Sequence, residues 1–122
     1  MDMMLTMDLQ AATIAHLSWK SKLTDFFYGL ENLTAADVPD HNNCDFGKWL
    51  NSRGRQDLSS HPDASRMDAL HKDVHDSIKM LVNMPEEKRN TPEGKQALQA
   101  FKDKCDQLII LLERMENDFK RG

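Results

Sequence analysis

The chain has 122 residues, room for one domain with a real hydrophobic core, and its 5 Gly and 4 Pro are too few for a disordered, collagen-like or loop-rich scaffold. Asp and Glu number 20 against 16 for Lys and Arg, a net charge of -4 with no basic run, which argues against nucleic-acid binding through a cationic face. The longest apolar run, Leu108 to Leu112, has five residues where about 20 would span a bilayer.

Residues Met1 to Leu9 carry Asp2 and Asp8 but no Lys or Arg, unlike an export signal. The expectation is a cytoplasmic chain that neither spans a membrane nor binds nucleic acid, with Cys44 and Cys105 reduced. In the first helical stretch Leu9, His16, Leu23 and Leu30 share one heptad position and Ala12, Trp19 and Phe26 the other. After a break over Asn32 to Asn42, the segment Asn43 to Ser52 holds Cys44, Phe46, Trp49 and Leu50 and reads as a short helix ending near Gly54. A weaker break leads through Gly54 to Pro62, which suits the first turn of the next helix. There Ala64, His71 and Ile78 alternate with Met67, Val74 and Leu81. Asn83 to Thr91, with Pro85, interrupts the pattern, and the last helix opens with Thr91 as N-cap and Pro92 at the first helical position. It sets Leu98, Cys105, Leu112 and Phe119 against Phe101, Leu108 and Met115. No strand-like alternation appears. The pattern predicts an all-α chain, residues 1–122 as a single domain, folded as an antiparallel four-helix bundle with one short helix carrying the Cys motif.

A histidine in an apolar seam needs partners for its ring nitrogens, because a buried unpaired polar group costs about 1 to 3 kcal/mol. His16 and His71 both occupy such positions. Either alone reads most simply as a core histidine satisfied by a neighbour. His75, however, stands one helical turn after His71, the i, i+4 spacing with which helical metal sites present two imidazoles to one ion. With His16 and Cys44 from other helices, three imidazoles and one thiolate make a closed tetrahedral set suited to Zn²⁺ rather than Mg²⁺ or Ca²⁺. Such ligands want outer acceptors on their N–H groups, a carboxylate or a backbone carbonyl, with Asp68 and Asp76 as candidates. His41 offers an alternative ligand through an H-x-x-C pair with Cys44, while His61 reads as a solvated loop residue. Cys105 reads as core, with a resolving thiol as the sharper alternative. Gly47 reads as a point of close helix approach and Trp49 as an apolar plug beside the site.

The segment Cys44-Asp45-Phe46-Gly47-Lys48-Trp49-Leu50, with His71-x-x-x-His75 after it and His16-Leu17-Ser18-Trp19-Lys20 before it, resembles the chemoreceptor zinc-binding domain. This is a bacterial cytoplasmic module found on soluble chemoreceptors and some diguanylate cyclases. The resemblance implies a four-helix bundle, often homodimeric, with zinc held by His16, Cys44, His71 and His75. It also implies a regulatory role in chemotaxis or cyclic-di-GMP signalling: the zinc-thiolate centre senses zinc or an oxidant such as hypochlorous acid, with Cys44 as the redox-sensing residue. The 122 residues hold no receptor or cyclase sequence, so the expectation is either a free-standing member or a module of a longer receptor, with a chemoreceptor or diguanylate cyclase as the candidate signalling partner.

The competing class is a structural, zinc-stabilised dimerisation module, for which Leu17, Leu70 and Ile109, outside the strict seam, are the candidate contact stripe. Catalysis is not signposted, since HExxH, G-x-S-x-G and phosphate-loop motifs are all missing from the sequence. Carboxylate di-iron chemistry would need Glu-x-x-His pairs, which the sequence lacks.

Overall fold

The computed structural model describes residues 3–121; residues 1, 2 and 122, the outer ends of the expected domain, lie outside them. Among the described residues every regular element is helical and the fold is an all-α bundle. No helix among them is long and apolar enough to cross a membrane.

Helix α1 (Met3–Phe27) stops where Gly29 takes a positive φ of 77°, which costs glycine nothing and an L side chain about 1 to 2 kcal/mol. The Leu30 N–H then reaches the Asp25 carbonyl (2.8 Å) and the Gly29 N–H the Phe26 carbonyl (3.1 Å), satisfying two end carbonyls. Leu30, expected on the apolar stripe, is thereby turned off the helix and left 77% exposed. Within the following loop a 3-10 turn (Ala35–Asp37) is tied by the Asp37 carboxylate, which accepts from the Thr34 N–H at 3.0 Å, and Val38 drops into the core behind it.

The short helix is longer than expected. It runs as α2 (Asp45–Trp49), a π-helical turn (Leu50–Gly54) and α3 (Arg55–Leu58). Gly54 does not end it: the Arg55 N–H bonds back five residues to the Leu50 carbonyl. A Cβ on Gly54 would lie 2.5 Å from the Trp49 ring, so this glycine is there for packing. Phe46, Leu50, Gly54 and Leu58 are all buried. Spaced by four, they would drift around a regular helix, and the wider π turn brings them back to one face.

Helix α4 (Ala64–Val82) begins two residues after Pro62, and the expected loop 83–91 contains one turn of helix, α5 (Glu86–Arg89). Helix α6 (Pro92–Arg121) starts as predicted, the Thr91 hydroxyl accepting from the Gly94 N–H at 3.2 Å. It is the spine of the molecule: α1 and α4 each pack along it, while they approach one another at few points. Being flanked on two sides, α6 buries Leu108, Ile109, Leu111 and Leu112 together. Ile109 is therefore core, not part of an outer stripe, and Leu70 is half-buried against the same core, whereas Leu17 is exposed as expected. Each fully buried Leu, Ile or Phe contributes about 2 kcal/mol, against about 0 to 1 kcal/mol for an exposed ion pair. Apolar burial holds the bundle.

Candidate metal centre

His16 projects from the middle of α1, and His71 and His75 from successive turns of α4. All three are 1 to 2% exposed. One ring nitrogen from each lies within 4.8 Å of the other two. The rings meet edge to face, with centroids 5.1 Å apart for His16–His71, 5.6 Å for His16–His75 and 4.7 Å for His71–His75. Phe46 closes the cluster against His71 at 5.0 Å.

Backbone carbonyls fix two of the tautomers. His16 Nδ1 lies 2.7 Å from the Ala12 carbonyl one turn back, and His75 Nδ1 lies 3.0 Å from the Pro39 carbonyl. A carbonyl only accepts, so each Nδ1 carries the proton and each Nε2 presents a lone pair. Burial pushes the pKa of His16 below its usual value. Burial, reinforced by the neighbouring imidazoles, takes His71 down to about 2. His75 falls to about 4 through burial, although the Pro39 carbonyl opposes the shift. All three rings are neutral donors at neutral pH.

Cys44 stands at the N-cap of α2, where its sulfur accepts from the Gly47 N–H at 3.3 Å. Sγ also lies 3.3 Å from His71 Nε2, and it reaches the cluster through that ring. Gly47 makes this possible, though by a different contact from the helix approach expected of it. Its α-carbon lies under the backbone of the loop, and an added Cβ would fall 1.8 Å from the His41 carbonyl oxygen. Burial pushes the Cys44 thiol pKa up, with the Gly47 and Phe46 amides opposing.

A cation suits this arrangement. Among the described residues no hydrogen-bond partner reaches the buried His75 Nε2, and the Nε2 lone pair of His16 cannot satisfy it. Donors bound to a tetrahedral zinc at about 2.1 and 2.3 Å stand roughly 3.5 Å apart, close to the Cys44–His71 separation. Three imidazoles and a sulfur are a zinc-type set. The cluster His16, His71 and His75 can hold the ion, with Cys44 adjacent.

Other sequence expectations fare differently. Asp68 and Asp76 are not outer acceptors for the clustered imidazoles: Asp68 pairs with Arg55 (2.6 Å) and Asp76 with Lys72 (2.8 Å). Carbonyls of Ala12 and Pro39 take that role. The first follows from its place four residues before His16 on a helix, whereas a loop carbonyl such as that of Pro39 leaves no sequence signature. His41 sits beside His71, ring centroids 6.0 Å apart, outside the three-ring group. His61 is not a solvated loop residue, because its side chain is only 7% exposed. Its Nδ1 accepts from the Asp63 N–H (3.1 Å) and its Nε2 donates to Asp118 (3.0 Å), docking the loop on α6. Cys105 is core: fully buried, its thiol donates to the His16 carbonyl at 3.3 Å, and burial pushes its pKa up to about 11. Both cysteines are free. Trp49 stacks on Phe46 beside the site at 5.7 Å.

Helices that converge three neutral imidazoles on one point define a metal-binding helical domain. The sequence profile of the chemoreceptor zinc-binding domain matches residues 16–82, more than half of the chain, and the chain belongs to that family. That span begins at His16 and includes Cys44, His71 and His75. No curated protein and no solved structure matches the chain.

Proposed function

We propose that the protein is a regulatory, non-catalytic sensor domain that holds one zinc through His16, Cys44, His71 and His75 and responds to oxidants at the Cys44 sulfur. The observation that carries this reading is the contrast in cover around the centre. The imidazoles are buried in the core, while Cys44 touches one of them, His71, from a half-buried position. A bound zinc would keep that sulfur as thiolate, the form oxidants attack, despite the burial that otherwise favours the thiol. Oxidising Cys44 to the sulfenic state weakens one of four donors and loosens the start of α2. The partner reading this change would be a chemoreceptor or a diguanylate cyclase in the cytoplasm.

The test is zinc release. Hypochlorous acid should discharge zinc from the wild type, detected with a chromogenic chelator, and Cys44→Ala should abolish the response. Zinc content of His16→Ala, Cys44→Ala, His71→Ala and His75→Ala should fall in each. Zinc retained by the wild type under oxidant overturns the sensing role and leaves zinc-level sensing, for which occupancy must change across cellular free zinc.

A structural, dimer-forming reading is favoured by one feature of α1. Met7, Ile14 and Leu17 fall on one face and are 60%, 62% and 47% exposed. A homodimer pairing on this face should dissociate in Ile14→Asp and Leu17→Asp, seen by sedimentation; unchanged sedimentation of a monomer dismisses it.

A further inference from the structure

Between α1 and the start of α2 the bundle leaves a cavity of about 370 Å³. Its walls are apolar, built from Ala12, Trp19, Phe46 and Trp49, and Cys44, His16 and His75 also line it. The α1 side is formed by Ala11 and Ala15, both exposed at the surface of the helix. Asp8 and Asp45 are its acidic residues, and among the described residues no Lys or Arg lines it. A space this size holds several waters or one small molecule, at the low end of ligand pockets.

We infer that this cavity is the route by which small, uncharged electrophiles reach the Cys44 sulfur, with the alanines at positions 11 and 15 setting its width. The route rests on the proposed oxidant reading for its purpose, but its geometry does not. Larger side chains at two exposed positions one turn apart would cover the opening, since helical side chains lean over the preceding turn. The carboxylates of Asp8 and Asp45 repel anions from the lining. Hypochlorous acid meets both requirements. The thiolate sulfur attacks chlorine, forming S–Cl and releasing hydroxide; water then displaces chloride, giving the sulfenic acid and a proton. Sulfur loses two electrons and chlorine gains them.

The experiment uses zinc-loaded full chain and compares wild type with Ala11→Leu and Ala15→Leu. Leucine is a good helix former and both sites are exposed, so each variant should keep its helicity and zinc content, checked by circular dichroism and metal analysis. The probes are iodoacetamide and its anionic counterpart iodoacetate, similar in size, with modification of Cys44 followed by mass spectrometry and rates normalised to free glutathione. Expected results are a slowing of iodoacetamide labelling by at least tenfold in one or both variants, and a wild-type preference for iodoacetamide over iodoacetate at least fivefold above that of glutathione. Labelling of both variants at the wild-type rate overturns the route; a preference equal to that of glutathione overturns its charge selection. If labelling slows as expected while hypochlorous acid leaves zinc in the wild type, the route stands and the sensing reading falls.

Discussion

The three buried imidazoles tie the metal-free fold to pH. With a folded pKa of about 2 for His71 and about 4 for His75, against 6.5 ordinarily, the unfolded chain binds protons that the folded chain refuses. Stability is therefore complete above about pH 6.5 and is lost as pH falls through about 4 toward 2, His71 and His75 each removing on the order of 2 kcal/mol by pH 5. Denaturant melts of chelator-treated protein at pH 7 and pH 5 should show this loss, and His75→Gln should reduce it; equal midpoints would contradict the burial of the rings. At this scale the clustered histidines are legible because each breaks the pattern around it: His16 and His71 interrupt apolar seams, and His75 repeats His71 at one turn. His61 carried no such signal, since its partner Asp118 is 57 positions away. Asp68 and Asp76 misled because a carboxylate near a histidine in sequence can point along its own surface, where Arg55 and Lys72 engage these two.

Among elements, the α2 entrance is where sequence and site depend most on one another. Gly47→Ala should cost about 1 to 3 kcal/mol, because the new methyl meets loop backbone rather than a side chain free to turn. It should also lower zinc occupancy by displacing Cys44. Gly29→Ala is the contrast: its positive φ should cost about 1 to 2 kcal/mol while leaving zinc content unchanged, since none of the described residues lies within 4 Å of the added carbon. Chemical denaturation and metal analysis of the pair separate the two effects, and equal zinc content in both would argue against Gly47 positioning the sulfur. Helix starts and stops were readable where a side chain caps the backbone, as at Thr91 with Pro92. They were not readable at Gly54, whose small size serves the Trp49 ring instead of a helix end. The π turn there has no local marker, because it arises from four buried residues sharing one face.

For the molecule as a whole, zinc binding should be folding energy. A ligand held by the folded chain alone, at a hundredfold excess over its dissociation constant, adds about 3 kcal/mol. The denaturation midpoint should therefore rise with zinc and fall with chelator, and a midpoint indifferent to both would remove the centre from the account of stability. The all-α class was evident from apolar spacing alone. The position of α6 between two neighbours was not, which is why Ile109 was mistaken for surface. That placement has a mechanical meaning. Since α1 and α4 lean on α6 but hardly on each other, an ion held by His16 from one side and by His71 and His75 from the other would act as a strut across the open side of a hinged frame. Without that ion the two arms would be free to swing about the shared spine. Spin labels on unnatural residues replacing Leu17 and Met80, both exposed, should then report a wider spread of distances that zinc narrows to one.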